Sequence, residues 1–155
     1  MGAPVPSVND LGNFGADVSA FVRKTRLRAD LVLRKVGFDC YAGIIMATPV
    51  DTARARASWH IAVNRTNLAT EAPRKSKGSR AQGPTGLQTG ESAAEMGKAK
   101  FGDSIYITNN LPYVVPLEHG YSKQARDPDG MVRKTIVRIA SQFHTIVNTI
   151  KGQTP

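Results

Sequence analysis

Residues 131–150 read MVRKTIVRIASQFHTIVNTI, and their spacing is the clearest structural signal in the chain. Val132, Ile136, Ile139, Phe143, Ile146 and Ile150 recur four, three, four, three and four residues apart. That repeat places them on one face of an α-helix, with Arg133, Lys134, Arg138 and Gln142 largely off the stripe. A helix of this kind is stable only with its apolar face covered, so a sheet or a second helix must lie against it.

Working back from that helix, Asp103 to Thr108 sets Ile105 and Ile107 on one side of a strand that ends at the turn-forming pair Asn109-Asn110. Glu91 to Lys98 is a short helix. Ser58 to Asn64 alternates, with Trp59, Ile61 and Val63 on one face and His60, Ala62 and Asn64 on the other, as in a half-buried strand. Before it, Asp17 to Met46 contains no proline, and Val18, Phe21, Val22, Leu31, Ala42 and Ile45 recur at mostly helical intervals. One long helix is predicted there. Gly37 is a weak point in it, costing about 1 kcal/mol relative to alanine, and Pro49 forces its end.

The order helix, strand, short helix, strand, helix gives an α+β fold, with long N-terminal and C-terminal helices packed on a small, mainly antiparallel sheet. A single domain is expected over residues 14–155, preceded by a flexible arm at 1–13. Within it, residues 65–88 carry Arg65, Arg74, Lys75, Lys77 and Arg80 among Pro73, Gly78, Gly83, Pro84 and Gly86, with almost no large apolar groups. This is predicted to be a flexible basic loop, and a loop of that length points to a contact made during assembly.

The chain has 155 residues, a net charge of +9 and one cysteine, Cys40. A lone thiol excludes an internal disulfide and a paired-cysteine metal site, leaving Cys40 as a small core residue. No apolar run approaches the roughly 20 residues of a membrane-spanning helix. The N-terminus lacks the basic and apolar segments of a secretion signal, so folding in the cytosol of the producing cell is expected. The positive charge favours nucleic acid, an anionic surface or an acidic protein as partner. His60, His119 and His144 are too scattered for a metal motif, and the Gly78–Gly90 stretch lacks phosphate-loop spacing. Glu118-His119 is the one carboxylate–imidazole neighbour pair, and adjacent residues seldom point at one site. Neither a catalytic residue, a cofactor nor a metal is expected.

Two segments carry a family resemblance. The first is Thr48-Pro49-Val50-Asp51-Thr52 with Arg54, Arg56, Ala57, Ser58 and Trp59. The second is Ile105-Tyr106-Ile107-Thr108-Asn109-Asn110-Leu111-Pro112-Tyr113 with Leu117-Glu118-His119-Gly120-Tyr121-Ser122. In this order, with a long helix before and Met131-Val132-Arg133 opening a helix after, they resemble the neck and tail-completion proteins of tailed bacteriophages. Ala53 stands where that pattern usually has glycine. The resemblance implies a non-enzymatic virion protein, assembled in the host cytoplasm. It would form an oligomeric ring of its own copies at the head–tail junction and meet connector, tail-terminator or other neck and tail proteins. It marks Pro49, Asp51, Thr52, Arg54, Arg56, Trp59, Pro112, Tyr113, Glu118 and Gly120 as motif positions.

The residues have local physical roles too. Asp51 and Thr52 can bond nearby backbone and stabilise a turn, and Arg54 and Arg56 share a side if the strand extends backwards. Pro112 fixes the strand exit, Tyr113 can bury a ring and keep its hydroxyl wet, and Gly120 permits positive φ. Arg74, Lys75, Lys77 and Arg80 are candidate contacts to a partner or to the phosphates of genomic DNA. The alternative function is therefore a sequence-independent DNA-binding protein, and a weaker rival is a small hydrolase using Glu118 and His119.

Overall fold

The computed structural model describes residues 8–49, 54–70, 86–121 and 130–153. Helix α1 spans Val8–Ala47, α2 Arg54–Ala57, strand β1 His60–Val63, α3 Gly86–Gly97, β2 Ile105–Thr108, α4 Val114–Glu118 and α5 Val132–Gln153. The fold is the α+β arrangement that the sequence predicts, two long helices with a small antiparallel sheet. Its pairs are His60 with Thr108, Ile61 with Ile107, Ala62 with Tyr106 and Val63 with Ile105. No described helix is long and apolar enough to cross a membrane.

Helix α1 begins nine residues before the predicted start at Asp17. Residues 8–13, read from sequence as part of a flexible arm, are helical. With no proline between Val8 and Ala47, extending a helix that is already nucleated costs little per residue. At 1.5 Å per residue its 40 residues make a rod about 60 Å long. The C-terminal half is anchored. Tyr41, Ile44 and Ile45 enter a core with Ala55, Trp59, Ile61, Met96, Ala99, Leu111, Val114 and Met131. Gly37 is buried, with Met96 and Ile105 so close that little beyond a hydrogen fits. Cys40 is half-buried on α1, outside this core.

The strand at β1 is shorter than Ser58–Asn64 and is not half-exposed, because Ile61 and Ala62 are both buried and α3 packs on it. Arg54 and Arg56 lie in the one-turn helix α2, not on a backward extension of the strand. Of the 65–88 stretch, residues 65–70 and 86–88 are described, and the rest of the expected loop lies outside the described residues. Arg65 pairs with Glu95 at 3.0 Å, Thr108 bonds the Asn67 carbonyl, and from Gly86 the chain is already in α3.

Helix α5 runs antiparallel to α1. Its start meets Gly43 through Thr135 and Arg138, and its end, at Thr149, Ile150 and Gln153, borders Leu31 and Lys35. The buried stripe is Thr135, Ile139, Ile146 and Ile150. Ile136 and Phe143, predicted to be in the seam, are 54% and 43% exposed. The helices approach closely at Gly43, so the small Thr135 faces α1 and Ile136 is turned outward. Replacing Gly43 with leucine should force α5 off α1 and lower stability by roughly 1–3 kcal/mol, read as a fall in the urea midpoint. Gly15→Ala, in open space on the same helix, should cause no such fall.

Candidate functional site

The two motif segments converge where α1 ends and α5 begins. Thr48 is the junction. Its amide bonds the Ile44 carbonyl at 3.0 Å, continuing the helix by one residue. Its hydroxyl, fully buried, donates to the Ile44 carbonyl at 2.7 Å and accepts the Trp59 indole N–H at 2.9 Å. It also lies 3.3 Å from Met131 Sδ. The hydroxyl hydrogen and one of its lone pairs are thereby used. The Tyr41 hydroxyl donates to the Trp59 carbonyl at 3.0 Å, holding the indole's backbone from the other side.

Arg56 reaches back from α2 to the open end of α1, donating to the Thr48 carbonyl at 2.9 Å. A cation at a helix C-terminus opposes the partial negative charge of the last carbonyls. Asn109 joins the second segment to the first: its side-chain amide donates to the Ala55 carbonyl at 2.8 Å while its oxygen accepts the Leu111 amide at 3.2 Å. The latter bond is the turn expected of an Asn at a strand exit. Pro112 is exposed and Tyr113 partly so, preceding α4. Gly120 closes α4 with φ +72°, in the left-handed region.

Glu118 ties α4 to α5. Its carboxylate accepts the amides of Met131 at 2.8 Å, Val132 at 2.9 Å and Arg133 at 3.0 Å, and the Arg133 side chain pairs with it at 3.3 Å. These are the N–H groups that a helix start leaves without internal partners, and a carboxylate there also meets the positive end of the helix dipole. Gly130 makes the approach possible. It has φ +66°, and a side chain on it would collide with the Glu118 carbonyl and carboxylate. Burial alone would raise the Glu118 carboxyl. The Val132, Arg133 and Met131 amides and the Arg133 guanidinium together outweigh that effect and hold it below the usual carboxylate range.

Thr48, Asn109, Gly130 and Met131 thus complete a cluster of which sequence reasoning marked Pro49, Arg56, Trp59, Glu118 and Gly120. Thr48 opens the first motif segment, and it stands four residues after a helical carbonyl, where threonine bonds back. Asp51, Thr52, Arg74, Lys75, Lys77 and Arg80 lie outside the described residues. His119 is directed elsewhere than Glu118, with its ring 6.2 Å from that of Tyr121, so the pair does not face one reacting group. Among the described residues no three His, Cys, Asp or Glu side chains converge as a metal site would require.

No family model, curated protein or solved structure matches the chain.

The Thr48 hydroxyl, the Trp59 indole, the Asn109 amide and the Glu118 carboxylate are bonded to one another and to backbone. What remains for outside partners is the surface, where large apolar side chains stand exposed: Phe21 at 70%, Phe101 at 74%, Tyr121 at 82% and Val137 at 69%. Phe101 is held in place from below, its amide donating to Asp30 at 2.6 Å while Arg34 donates to the Ala99 carbonyl at 2.8 Å.

Two substitutions test the cluster. Thr48→Val should leave the buried Trp59 N–H unpaired and reduce stability by about 1–3 kcal/mol, measured by urea unfolding. For Glu118 the folded carboxyl lies below its unfolded value, so its contribution is present at neutral pH. That contribution is lost as the pH falls below the ordinary carboxylate range and through the lowered value. Glu118→Gln should be less stable than the parent at neutral pH, and the difference should shrink on acidification.

Proposed function

We propose that the chain is a structural virion protein that forms an oligomeric ring of its own copies at the neck or head-proximal tail end of a tailed bacteriophage and acts in head–tail joining or tail completion. The observation that carries this reading is the division of labour in the molecule. Residues of both motif segments are built into one internal brace, while apolar side chains of α1, α5 and the loop at Phe101 are presented outward. A scaffold subunit needs a rigid interior and contact surface; a reaction needs free functional groups held together. The motif resemblance to neck and tail-completion proteins supplies the place of assembly.

Sequence-independent DNA binding is the second reading, favoured by the net charge of +9 and by exposed Arg23 and Arg26 on α1. The two separate in one experiment. Purified protein is sized alone and after mixing with tails that lack it, and the mixture is imaged. A ring at the head-proximal end of the tail is the expected outcome. A monomer that ignores tails and binds DNA, with affinity falling steeply as salt rises, would replace the first reading with the second.

A further inference from the structure

Helices α1 and α5 touch without closing fully on each other. Between residues 39–47 of α1 and 134–142 of α5 an open groove of about 650 Å³ remains, within the size range of binding sites. At 1.5 Å per residue it is about 12 Å long, room for two helical turns or about four residues of extended chain. Its floor is apolar. Ala42, Gly43, Ala47 and Ile139 line it, together with Met46, which is 57% exposed. The missing side chain at Gly43 lets the Arg138 guanidinium lie against α1, since a Cβ there would collide with its Nη2.

The α5 wall of the groove is polar and cationic, with Lys134, Arg138 and Gln142 following one another at four-residue intervals. The α1 wall contributes one acid, Asp39, and that acid is already matched: Lys35 donates to both of its oxygens, at 2.5 and 2.6 Å. Arg138 stands apart. Among the described residues its guanidinium has neither an ion pair nor a hydrogen bond, although it is laid across the helix opposite. Arginine offers five N–H donors in a fixed fork that matches a carboxylate. A cation over an apolar floor therefore fits a carboxylate carried next to an apolar side chain. A nucleic-acid backbone could use the cations but has nothing to cover Met46 and the alanines, so the floor favours a protein segment.

We propose that the groove between α1 and α5 docks an acidic, apolar segment of a partner protein, with Arg138 holding a carboxylate and the apolar side chain next to it covering Met46, Ala42 and Ala47. Charge complementarity selects this occupant. The chain carries +9, the acid in the groove is neutralised within its own helix, and a carboxylate brought against the apolar floor is partly desolvated, which strengthens its attraction to the guanidinium. The inference goes beyond the ring reading and does not require it. Its signature is attraction that weakens as salt rises and that depends on Arg138 in particular, not on the positive charge of the chain as a whole.

The experiment titrates the full chain into a short labelled peptide of alternating glutamate and leucine and follows fluorescence anisotropy. The parent is expected to bind saturably, and the same peptide with glutamine for glutamate is expected not to bind. Arg138→Ala should weaken binding about tenfold or more, and Met46→Gln should weaken it less. Arg138→Lys, which keeps the charge and loses the fork, should fall between Arg138→Ala and the parent. Arg23→Ala, exposed on α1 and outside the groove, should bind as the parent does. Both Arg138 and Met46 are exposed, and circular dichroism should show parental helicity in every variant. A parent that does not bind, equal binding of the glutamine peptide, or Arg138→Ala binding like the parent would each overturn the proposal. An equal loss in Arg23→Ala would overturn it in favour of diffuse charge attraction. A short DNA duplex that displaces the peptide from the parent, and whose own affinity falls with Arg138→Ala, would overturn it by assigning the groove to nucleic acid.

Discussion

The Glu118 carboxylate determines where α5 starts, and the placement of α5 governs most of the remaining structure. A helix start presents several amides with no internal partner, and in a half-buried setting each needs an acceptor. One carboxylate supplies three of them here, at 2.8–3.0 Å. Because the acceptor belongs to α4, the orientation of α5 is coupled to the strand exit at Asn109–Leu111 and, through the Asn109 amide on Ala55, to α2. Met131, at the foot of α5, then packs into the core beside Thr48 and Trp59. The chain of contacts is closed: α1, α2, β1, β2, α4 and α5 each touch the brace or the core around it.

A two-stranded sheet is a weak platform by itself, since isolated hairpin-like pairs are marginal in water. The brace compensates by fixing the segments on either side of each strand. Thr48 and Arg56 settle the approach to β1; Asn109 settles the departure from β2; the Glu95 carboxylate accepts the Val63 amide at 3.2 Å and pairs with Arg65 and Lys98 at the far end. Those last ion pairs are exposed on the basic side, with side chains 62% and 70% accessible, and such pairs contribute little each. The apolar core and the buried bonds of Thr48 and Trp59 carry the stability.

The elements were legible in the sequence where a long period or a chain breaker spoke for them. Pro49 marks the end of α1 and the repeat of isoleucines marks α5. The start of α1 was misplaced because Gly12, Gly15 and the surrounding Asn and Asp residues have the composition of an arm, though nothing in them stops a helix that continues from a long, proline-free stretch. Periodicity located the apolar side of α5 but not which of two adjacent stripes would be covered; that depended on the close approach at Gly43, a fact about another helix. The Arg-Ala-Arg-Ala turn at 54–57 is too short to show a period. The site was half legible. Trp59, Arg56 and Glu118 stood in recognisable motifs, whereas Gly130 and Met131 acquire their roles from a carboxylate twelve and thirteen positions earlier, a distance at which no local pattern operates.

The outer half of α1 also sets a gradient of stability along a single helix. From Tyr41 to Thr48 each turn is locked by the core, and opening it means unfolding the domain. From Leu27 back to Gly15 no described side chain is buried, so the backbone bonds there lean on their neighbours along the helix. Its terminal turns can therefore fray and re-form on the sub-microsecond scale of helix–coil exchange while the core stays intact. The molecule thus combines an element that reports the global unfolding free energy at one end with one close to zero at the other. Amide exchange read along α1 alone would trace that slope residue by residue.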